Sequence, residues 1–264
     1  MPQIQVNGIS LYYQSAGNGP PLVLIAGFTS DGQSWAPVVA GLSRQFQVIT
    51  FDNRTTGRTR PAEAKTSMAL MADDCVGLMS ALEIGHAHIL GHSMGGIVAI
   101  DIASRYPERI EKLILAATTP DQNSFQLSVL ETILSLRQAK GSDQLWLKSF
   151  LHWLFHPSFF DDPTAVKTAL ANAAAYPYRQ SMAGMAAQLT VLATMKNHID
   201  IKKVKAKTLV ILGSNDLFYP LAEAKRTLSA IPNVDISVIA KAGHSVHWDQ
   251  PDMFVRLVSD FLKN

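Results

Sequence analysis

The sequence predicts an α/β fold in which helices flank a mostly parallel β-sheet. Short apolar runs recur along the chain, and they are nearly continuous rather than alternating, which is typical of strands covered on both faces. Segments with helical periodicity separate most of these runs. This alternation of strand and helix indicates a parallel sheet, whose functional groups lie on loops at the carboxyl ends of the strands.

The elements can be assigned in chain order. Residues 3–15 alternate in hydropathy around Asn7-Gly8, a dipeptide typical of tight turns, and predict a β-hairpin. The apolar runs that predict further strands span residues 22–26, 48–51, 88–90, 113–117, 208–212 and 236–240. Helical patterns span residues 35–44, 67–82, 94–106, 221–230 and 251–262.

One interval interrupts this alternation. Residues 119–203 contain no convincing strand, while helical periodicity recurs at 125–139, 143–155, 163–175 and 179–195. We therefore expect residues 1–118 and 204–264 to form an α/β core, and residues 119–203 to form a helical cap inserted into it.

Composition excludes several classes of protein. The 264 residues are 47% hydrophobic, enough to bury a large core, and the formal net charge is only +2, which gives no concentrated basic surface for nucleic acid. The N-terminus lacks the pattern of a signal peptide, no run reaches transmembrane length, and the single cysteine, Cys75, excludes an internal disulfide. We expect a cytoplasmic protein with no nucleic-acid or membrane partner, and a homodimer is left open.

The stretch GHSMGG, at residues 91–96, makes Ser93 a candidate functional residue. A serine before an apolar helical run is usually an N-cap. That interpretation leaves Gly95 and Gly96 unexplained, because glycines in a first helical turn weaken the helix. In a G-x-S-x-G nucleophile elbow, small neighbours relieve the crowding around a serine held in strained geometry between strand and helix. The pattern therefore favours Ser93 as a nucleophile.

A serine nucleophile needs a base and a carboxylate that orients the base. Asp216 follows the run TLVILG and His244 follows ISVIAKAG, so both lie just beyond predicted strands, in the order expected after an elbow serine. Taken singly, Asp216 could be a turn residue and His244 a helix cap. Together they favour a Ser-His-Asp triad, for which Asp121, after the preceding strand, is a rival acid.

Two backbone N–H groups would complete the site as an oxyanion hole. One belongs to Met94, which follows the nucleophile, and the other to Phe28, which follows the run LVLIAG. Phe28 could equally be a core residue, because it lies in a short apolar run.

The chain resembles the α/β-hydrolase superfamily through the segments AGFTSDGQSW, FDNRTTGRTRP, GHSMGG, GSNDLFYP and AGHSVHWDQPDMF, and it is similar to the small esterase, lactonase and cofactor-free haloperoxidase group. The resemblance implies the α/β-hydrolase fold, an eight-stranded, mostly parallel sheet with a helical cap after the sixth strand. It also implies Ser93 as nucleophile, Asp216 as acid, His244 as base, and the N–H groups of Phe28 and Met94 as the oxyanion hole. No cofactor or metal is implied.

Two positions depart from the pattern of the relatives. Ala26-Gly27 stands where they often have His-Gly, so a side chain that would brace the oxyanion loop is absent. Thr55 stands where they often have glycine, in the segment DNRTTG. Neither position belongs to the triad.

Other signals favour structural roles. No lysine follows GHSMGG, as a phosphate-binding loop would require. His152 and His156 are four residues apart, on one face of a predicted helix, but the local sequence offers no acidic third ligand for a metal. The aromatic residues around them are accompanied by too few basic charges for a membrane-surface helix. We therefore expect this segment to cover the active site.

The predicted reaction is two-step acyl transfer to water on a small ester or lactone with an apolar portion, because the predicted cap is rich in Leu, Ala, Met, Phe and Trp. A carbon–carbon bond hydrolase, a cofactor-free haloperoxidase or perhydrolase, and a ligand-binding receptor on the same fold remain alternatives. Haloalkane dehalogenases and epoxide hydrolases use an aspartate at the elbow, so Ser93 counts against both.

Overall fold

A computed structural model describes residues 2–120, 122–139, 143–195 and 199–263. Its centre is an eight-stranded sheet with the strand order β1-β2-β4-β3-β5-β6-β7-β8. The strands are β1 (Gln3–Val6), β2 (Ile9–Ala16), β3 (Pro21–Ile25), β4 (Gln47–Phe51), β5 (Ala87–His92), β6 (Ile110–Ala116), β7 (Lys207–Gly213) and β8 (Val234–Ile239). Strand β2 is antiparallel to β1 and β4, and the other neighbouring pairs are parallel. The predicted mostly parallel sheet is confirmed.

Helices cover the sheet and extend beyond it. They are α1 (Ala36–Leu42), α2 (Met68–Ala81), α3 (Met94–Arg105), α4 (Ser124–Gln138), α5 (Asp143–Leu154), α6 (Pro163–Ala175), α7 (Met182–Thr194), α8 (Leu221–Leu228), α9 (Val246–Asp249) and α10 (Pro251–Lys263). Short 3-10 helices span Gly32–Trp35, Pro107–Arg109, Pro157–Asp161 and Ile201–Lys203. Within the described ranges, no helix combines the length and the apolar character needed to cross a membrane.

Both faces of the sheet are buried, which explains why the strands read as continuous apolar runs. Along β3, Val23 and Ile25 join the apolar core shared with α2, α3 and α8. Leu22 and Leu24 point to the other face and join the core shared with α1 and α10. Alternate residues of one strand therefore stabilise two separate helical layers.

Between β6 and β7, the described residues are helical or irregular, and we call residues 119–203 the helical insertion. Its helices pack mainly on one another, α4 against α5 and α7, and α5 against α6. Local sequence fixes where they begin: Asn123 and Gln126 form a reciprocal capping box at α4, and the Ser181 side chain accepts the Gly184 N–H at α7. The proposed division into a core and a separate cap domain stays a prediction.

Some details differ from the sequence-based expectation. The helix expected over residues 35–44 is a 3-10 turn followed by the shorter α1. The shared helix face of His152 and His156 was wrong, because α5 ends at Leu154 and His156 instead caps the next 3-10 helix, its ring nitrogen accepting the Ser158 N–H at 3.1 Å. Pro157 explains the break, since a residue before proline is disfavoured in α-helical geometry.

Candidate active site

Ser93 lies at the sharp turn between β5 and α3. Its backbone has φ 54° and ψ −124°, a conformation that a serine rarely adopts. A Cβ on Gly95 would lie 2.1 Å from the carbonyl oxygen of Ile25, and a Cβ on Gly91 would lie 2.2 Å from that of Gly95. The glycines around Ser93 are therefore required by the close approach of α3 to the strands beneath it.

The structure brings Ser93, His244 and Asp216 together from loops after β5, β8 and β7. Ser93 Oγ lies 2.9 Å from His244 Nε2, and His244 Nδ1 lies 3.0 Å from Asp216 Oδ2. Asp216 Oδ2 can only accept, so the histidine tautomer that fits carries its proton on Nδ1 and donates it in this hydrogen bond. Nε2 is then unprotonated and can accept a hydrogen bond from the Ser93 hydroxyl. All three residues are buried. The arrangement can therefore take a proton from Ser93 as its oxygen attacks a carbon atom.

The backbone after Asp216 holds its carboxylate in place. Oδ1 accepts the N–H groups of Phe218 and Tyr219, each at 2.8 Å, while Oδ2 faces His244. Asp216 therefore closes a turn and also contacts the histidine, so the two interpretations of this residue are compatible. The rival acid, Asp121, lies outside the described residues.

Phe28 and Met94 flank Ser93 from two sides. Met94 is the first residue of α3, so its N–H has no acceptor within the helix. Phe28 follows β3, the strand that pairs with β5, and both residues line the same cavity as Ser93. The Phe28 side chain also packs in the apolar core, which agrees with its core interpretation.

The loop after β3 is braced without the histidine that relatives often have. The Asn53 side chain donates to the carbonyl oxygen of Ala26 at 3.1 Å, and Gln188 of α7 accepts the Thr29 N–H at 3.1 Å. Side chains from β4's loop and from the helical insertion therefore fix the loop that carries Phe28.

Thr55 adopts a positive φ of 69°, in a tight segment after β4. Its hydroxyl is buried and has no hydrogen-bond partner. The segment is held by Arg58, which donates from Nε and Nη2 to the two carboxylate oxygens of Asp52 at 2.7 and 2.8 Å. The residue that replaces a glycine thus occupies a backbone conformation that favours glycine.

His92 is a site residue that the sequence did not reveal. Its Nε2 lies 2.9 Å from the main-chain oxygen of His244, and a carbonyl only accepts, so this nitrogen carries the proton. Burial, followed by the neighbouring His247 and His244, lowers the pKa of His92 well below 6.5. A neutral ring therefore anchors the backbone of the loop that carries His244. The only signal in the sequence was the position of His92 directly before Ser93. That signal was weak because the partner is 152 residues away.

A cavity of about 440 Å³ opens above Ser93 and His244. Its wall on the side of the helical insertion is largely apolar and includes Leu130, Trp146, Leu147, Phe150, Leu154 and Leu192. Helix α5 thus covers the site, as its aromatic sequence predicts. Among the described residues, no group of three or more His, Cys, Asp or Glu side chains is arranged to hold a metal ion.

A hydrogen bond from Tyr176 also ties the insertion to the core at the cavity wall. Tyr176, between α6 and α7, donates its hydroxyl to Asp31 Oδ2 at 2.6 Å. Burial, with the nearby Asp52 charge, raises the pKa of Asp31, and the Tyr176 hydrogen bond opposes this rise. The cavity is therefore closed partly by a contact between segments that are 145 residues apart.

Comparison with known proteins agrees with this architecture. A family model of the alpha/beta hydrolase fold matches residues 20–251 of the chain. A putative carbamate hydrolase RutD from Agrobacterium fabrum is 25% identical over 246 residues, 92% of this chain and 93% of that protein.

Solved structures cover the chain from end to end. The enol-lactonase from Burkholderia xenovorans LB400 has a TM-score of 0.88 and 26% identity, and the match covers 100% of both chains. A thermophilic esterase from Thermogutta terrifontis has a TM-score of 0.86 and 25% identity, covering 100% of this chain and 98% of that one. The fold is thus shared with enzymes of more than one hydrolytic specificity.

Proposed function

The chain belongs to the α/β-hydrolase family and is a hydrolase, and from this premise we propose that it is a serine hydrolase of carboxylic esters or lactones. The observation that carries the proposal is the chain of contacts from Ser93 through His244 to Asp216 beneath an apolar cavity. The substrate is small and partly apolar. Ser93 is the nucleophile, His244 the base and Asp216 the acid.

The geometry supports a two-step acyl transfer. Ser93 Oγ attacks the carbonyl carbon while His244 Nε2 takes its proton, and the N–H groups of Phe28 and Met94 stabilise the oxyanion. His244 then returns the proton to the departing alcohol, which stays attached to the acyl chain when the substrate is a lactone. Water attacks the acyl-enzyme, again with His244 as base, and Asp216 holds the imidazole in the required tautomer throughout.

The substrate class rests on the cavity and on the relatives. About 440 Å³ lies within the range of small-molecule sites, and its apolar wall suits a hydrocarbon portion. The similar proteins include an enol-lactonase, an esterase and a putative carbamate hydrolase, so a carbamate belongs in the same test as an ester and a lactone.

The test compares wild type, Ser93→Ala and a matched control, Ser135→Ala, an exposed serine on α4. Acetyl, butyryl and octanoyl p-nitrophenyl esters, a lactone and a p-nitrophenyl carbamate serve as substrates, and a fluorophosphonate serves as the covalent label. We expect Ser93→Ala to lose at least about a thousandfold in turnover and to lose the label, because the nucleophile is gone. Ser135→Ala should match wild type in both.

The same assay assigns the acid. Asp216→Asn should lower kcat by about 10⁴-fold, because an amide favours the wrong histidine tautomer, and Asp121→Asn should leave kcat near the wild-type value. The reverse result would assign the role of the acid to Asp121. A folded wild type with no turnover and no label would contradict the proposal and favour a ligand-binding receptor. Stabilisation of both wild type and Ser93→Ala by the same ligand would support that receptor function.

A further inference from the structure

Asp249 is an acidic side chain near His244 that the acyl transfer described above does not use. It is the last residue of α9, the short helix that follows His244, and it is half-buried. Its Oδ2 accepts two backbone N–H groups, that of Gly243 at 2.7 Å and that of His156 at 3.0 Å. One oxygen atom therefore holds both the residue directly before the proposed base and a residue of the helical insertion.

Two backbone segments meet at this carboxylate. They are residues 154–156, at the end of α5, and residues 243–245, around the proposed base, and we call their contact the insertion–base junction. The Ser245 N–H donates to the carbonyl oxygen of Leu154 at 2.7 Å. A Cβ on Gly243 would lie 2.8 Å from a carbonyl carbon and 2.9 Å from a backbone nitrogen of the other segment. The close approach of the two backbones therefore requires glycine here.

Both sides of the junction also line the cavity. Leu154 and Phe155 contribute from the insertion, while Ser245 and Trp248 contribute from the residues that follow the base. The rings of Phe155 and Trp248 meet edge to face, with their centroids 6.5 Å apart. A shift of one segment relative to the other would therefore change the cavity wall and the position of the base together.

The two N–H donors stabilise the charged form of Asp249. Burial raises the pKa of Asp249, while the hydrogen bonds from Gly243 and His156 lower it. Hydrogen bonds to a carboxylate are stronger than those to a neutral acceptor. After Gly243, the main-chain oxygen of His244 is held by the His92 ring at 2.9 Å. Side chains therefore fix the backbone both before and at the base.

We propose that Asp249 is a positioning residue, whose carboxylate joins the helical insertion to the loop of His244 and so aligns the base and the cavity wall together; this rests on the proposed function. Asp249 lies outside the cavity lining and acts through the backbone of the junction. With both bonds present, His244 Nε2 lies 2.9 Å from Ser93 Oγ. Displacing a catalytic group by about 1 Å can cost on the order of a hundredfold in rate.

The first test compares two substitutions of the same carboxylate. Asp249→Leu keeps the approximate shape and removes both acceptors, while Asp249→Asn can present its amide oxygen to both N–H groups. For p-nitrophenyl butyrate, we expect Asp249→Leu to lose about tenfold in kcat per site titrated with the fluorophosphonate, because the base is less well aligned. The second-order rate of labelling at Ser93 should fall by a similar factor. Asp249→Asn should restore both rates to within about threefold of wild type.

A split between kinetic constants is expected as well. Because Leu154 and Phe155 belong to the cavity wall, releasing the junction should raise KM about threefold in Asp249→Leu. The labelling rate at low reagent concentration reports the base, and KM reports the wall. A single substitution outside the cavity lining should therefore change both.

Asp162→Leu is the matched control. Asp162 also accepts two backbone N–H groups with one oxygen, those of Thr164 and Ala165 at 2.9 and 3.1 Å, but all three residues belong to one end of α6. Asp162 lies outside the cavity lining. The substitution should lower the free energy of unfolding, because the helix loses its cap, and should leave kcat, KM and the labelling rate unchanged.

The second test removes only the insertion's bond to the carboxylate. His156 has a φ of −59°, close to the value that proline imposes, and His156→Pro deletes the N–H that Asp249 accepts. The comparison is His156→Ala, which loses the same ring but keeps the N–H. We expect His156→Pro to be labelled at Ser93 about threefold more slowly than His156→Ala. If Asp249→Leu fails to fold, this comparison tests the inference without it.

A folded Asp249→Leu with kcat and labelling rate within about twofold of wild type would overturn the inference, because Asp249 would then only stabilise the fold. An Asp249→Asn as slow as Asp249→Leu would contradict it, since the charge and not the two hydrogen bonds would matter. Equal labelling of His156→Pro and His156→Ala would show that the insertion does not align the base. A wild type that neither turns over an ester nor takes the label would overturn the proposed function as well, whereas an active wild type with unaffected variants overturns this inference alone.

Discussion

At the scale of single residues, Thr55 combines two features that destabilise the fold. A β-branched residue with φ 69° is a steric outlier and costs about 1–2 kcal/mol relative to glycine. Its buried hydroxyl also lacks a hydrogen-bond partner, which costs about 1–3 kcal/mol more. Against this stand the burial of one methyl group and the greater chain entropy of a glycine in the unfolded state.

We therefore predict that Thr55→Gly raises the free energy of unfolding by about 1 kcal/mol. Urea unfolding monitored by tryptophan fluorescence measures the change. The neighbouring Thr56→Gly is the matched control, because Thr56 donates its hydroxyl to the Asn53 carbonyl at 2.7 Å, and this substitution should destabilise. A loss of stability in Thr55→Gly as large as that in Thr56→Gly would show that Thr55 is not strained.

The triad candidates could be predicted from sequence because each combines a reactive side chain with a position just after a strand. Ser93, Asp216 and His244 all meet this condition, and the structure brings them together. His92 could not be identified from the sequence, because a histidine serves many structural roles in proteins. Its role depends on a partner 152 residues away, which no local pattern encodes.

At the scale of elements, the position of Ser93 depends on how closely α3 approaches β3. The helix begins at Met94, so Gly95 lies in its first turn, directly over the end of β3. A Cβ at this position would overlap the carbonyl oxygens of Ile25 and Ala26, at 2.1 and 2.6 Å. Backbone atoms inside a sheet cannot move away as a flexible side chain can. The positions of α3, β3 and Ser93 are therefore linked by the absence of a side chain at Gly95.

Gly95→Ala should lower the free energy of unfolding by about 2–4 kcal/mol, even though alanine is the better helix former. Gly85→Ala is the control, since a Cβ there has no atom within 4 Å and its φ is not positive. This second substitution should change stability by less than about 0.5 kcal/mol. Chemical unfolding of both variants measures the contrast, and equal stabilities would mean that α3 does not need the close approach.

The helices of the insertion were predictable because their periodicity and caps are local. Helix α6 lies at the predicted residues 163–175, and its N-cap, Asp162, precedes a proline at the first helical position. The 3-10 helices were not predicted, since a span of three to five residues is too short to show a period. The wrong placement of His156 on a helix came from continuing a helical pattern up to Pro157.

At the scale of the whole molecule, strand order explains why distant residues meet. The chain leads from β3 to β4 on one side of the β3–β5 pair and from β5 to β6 on the other side, so the loops after β3 and β5 diverge and leave a crevice between them. Phe28 and Ser93 lie on these two loops, and the parallel strands β7 and β8 deliver Asp216 and His244 to the same edge. Alternating patterns predict a parallel sheet, but they do not encode the order of its strands.

The edge of the sheet at which these loops meet also buries a cluster of aromatic and imidazole rings. Protonation of an imidazole in this cluster makes the free energy of unfolding depend on pH. His247 packs with its ring centroid 4.7 Å from both His92 and Trp35, and its Nε2 lies 3.1 Å from the Ser34 carbonyl oxygen. Burial lowers the pKa of His247 to about 3. Its ordinary pKa in an unfolded chain is about 6.5, so the unfolded state binds this proton more tightly than the folded state.

Stability from His247 is therefore fully present above pH 6.5 and is lost progressively as the pH falls toward 3. Between pH 6.5 and 5 the loss should amount to about 2 kcal/mol. His247→Gln keeps an N–H donor for the Ser34 carbonyl but cannot be protonated, so the variant should lose about 2 kcal/mol less than wild type when urea unfolding is compared at pH 7.5 and pH 5. His86→Gln, at an exposed histidine, should behave like wild type. If His247→Gln loses as much stability as wild type, His247 is not held neutral by the fold, and the acid sensitivity must come from other groups.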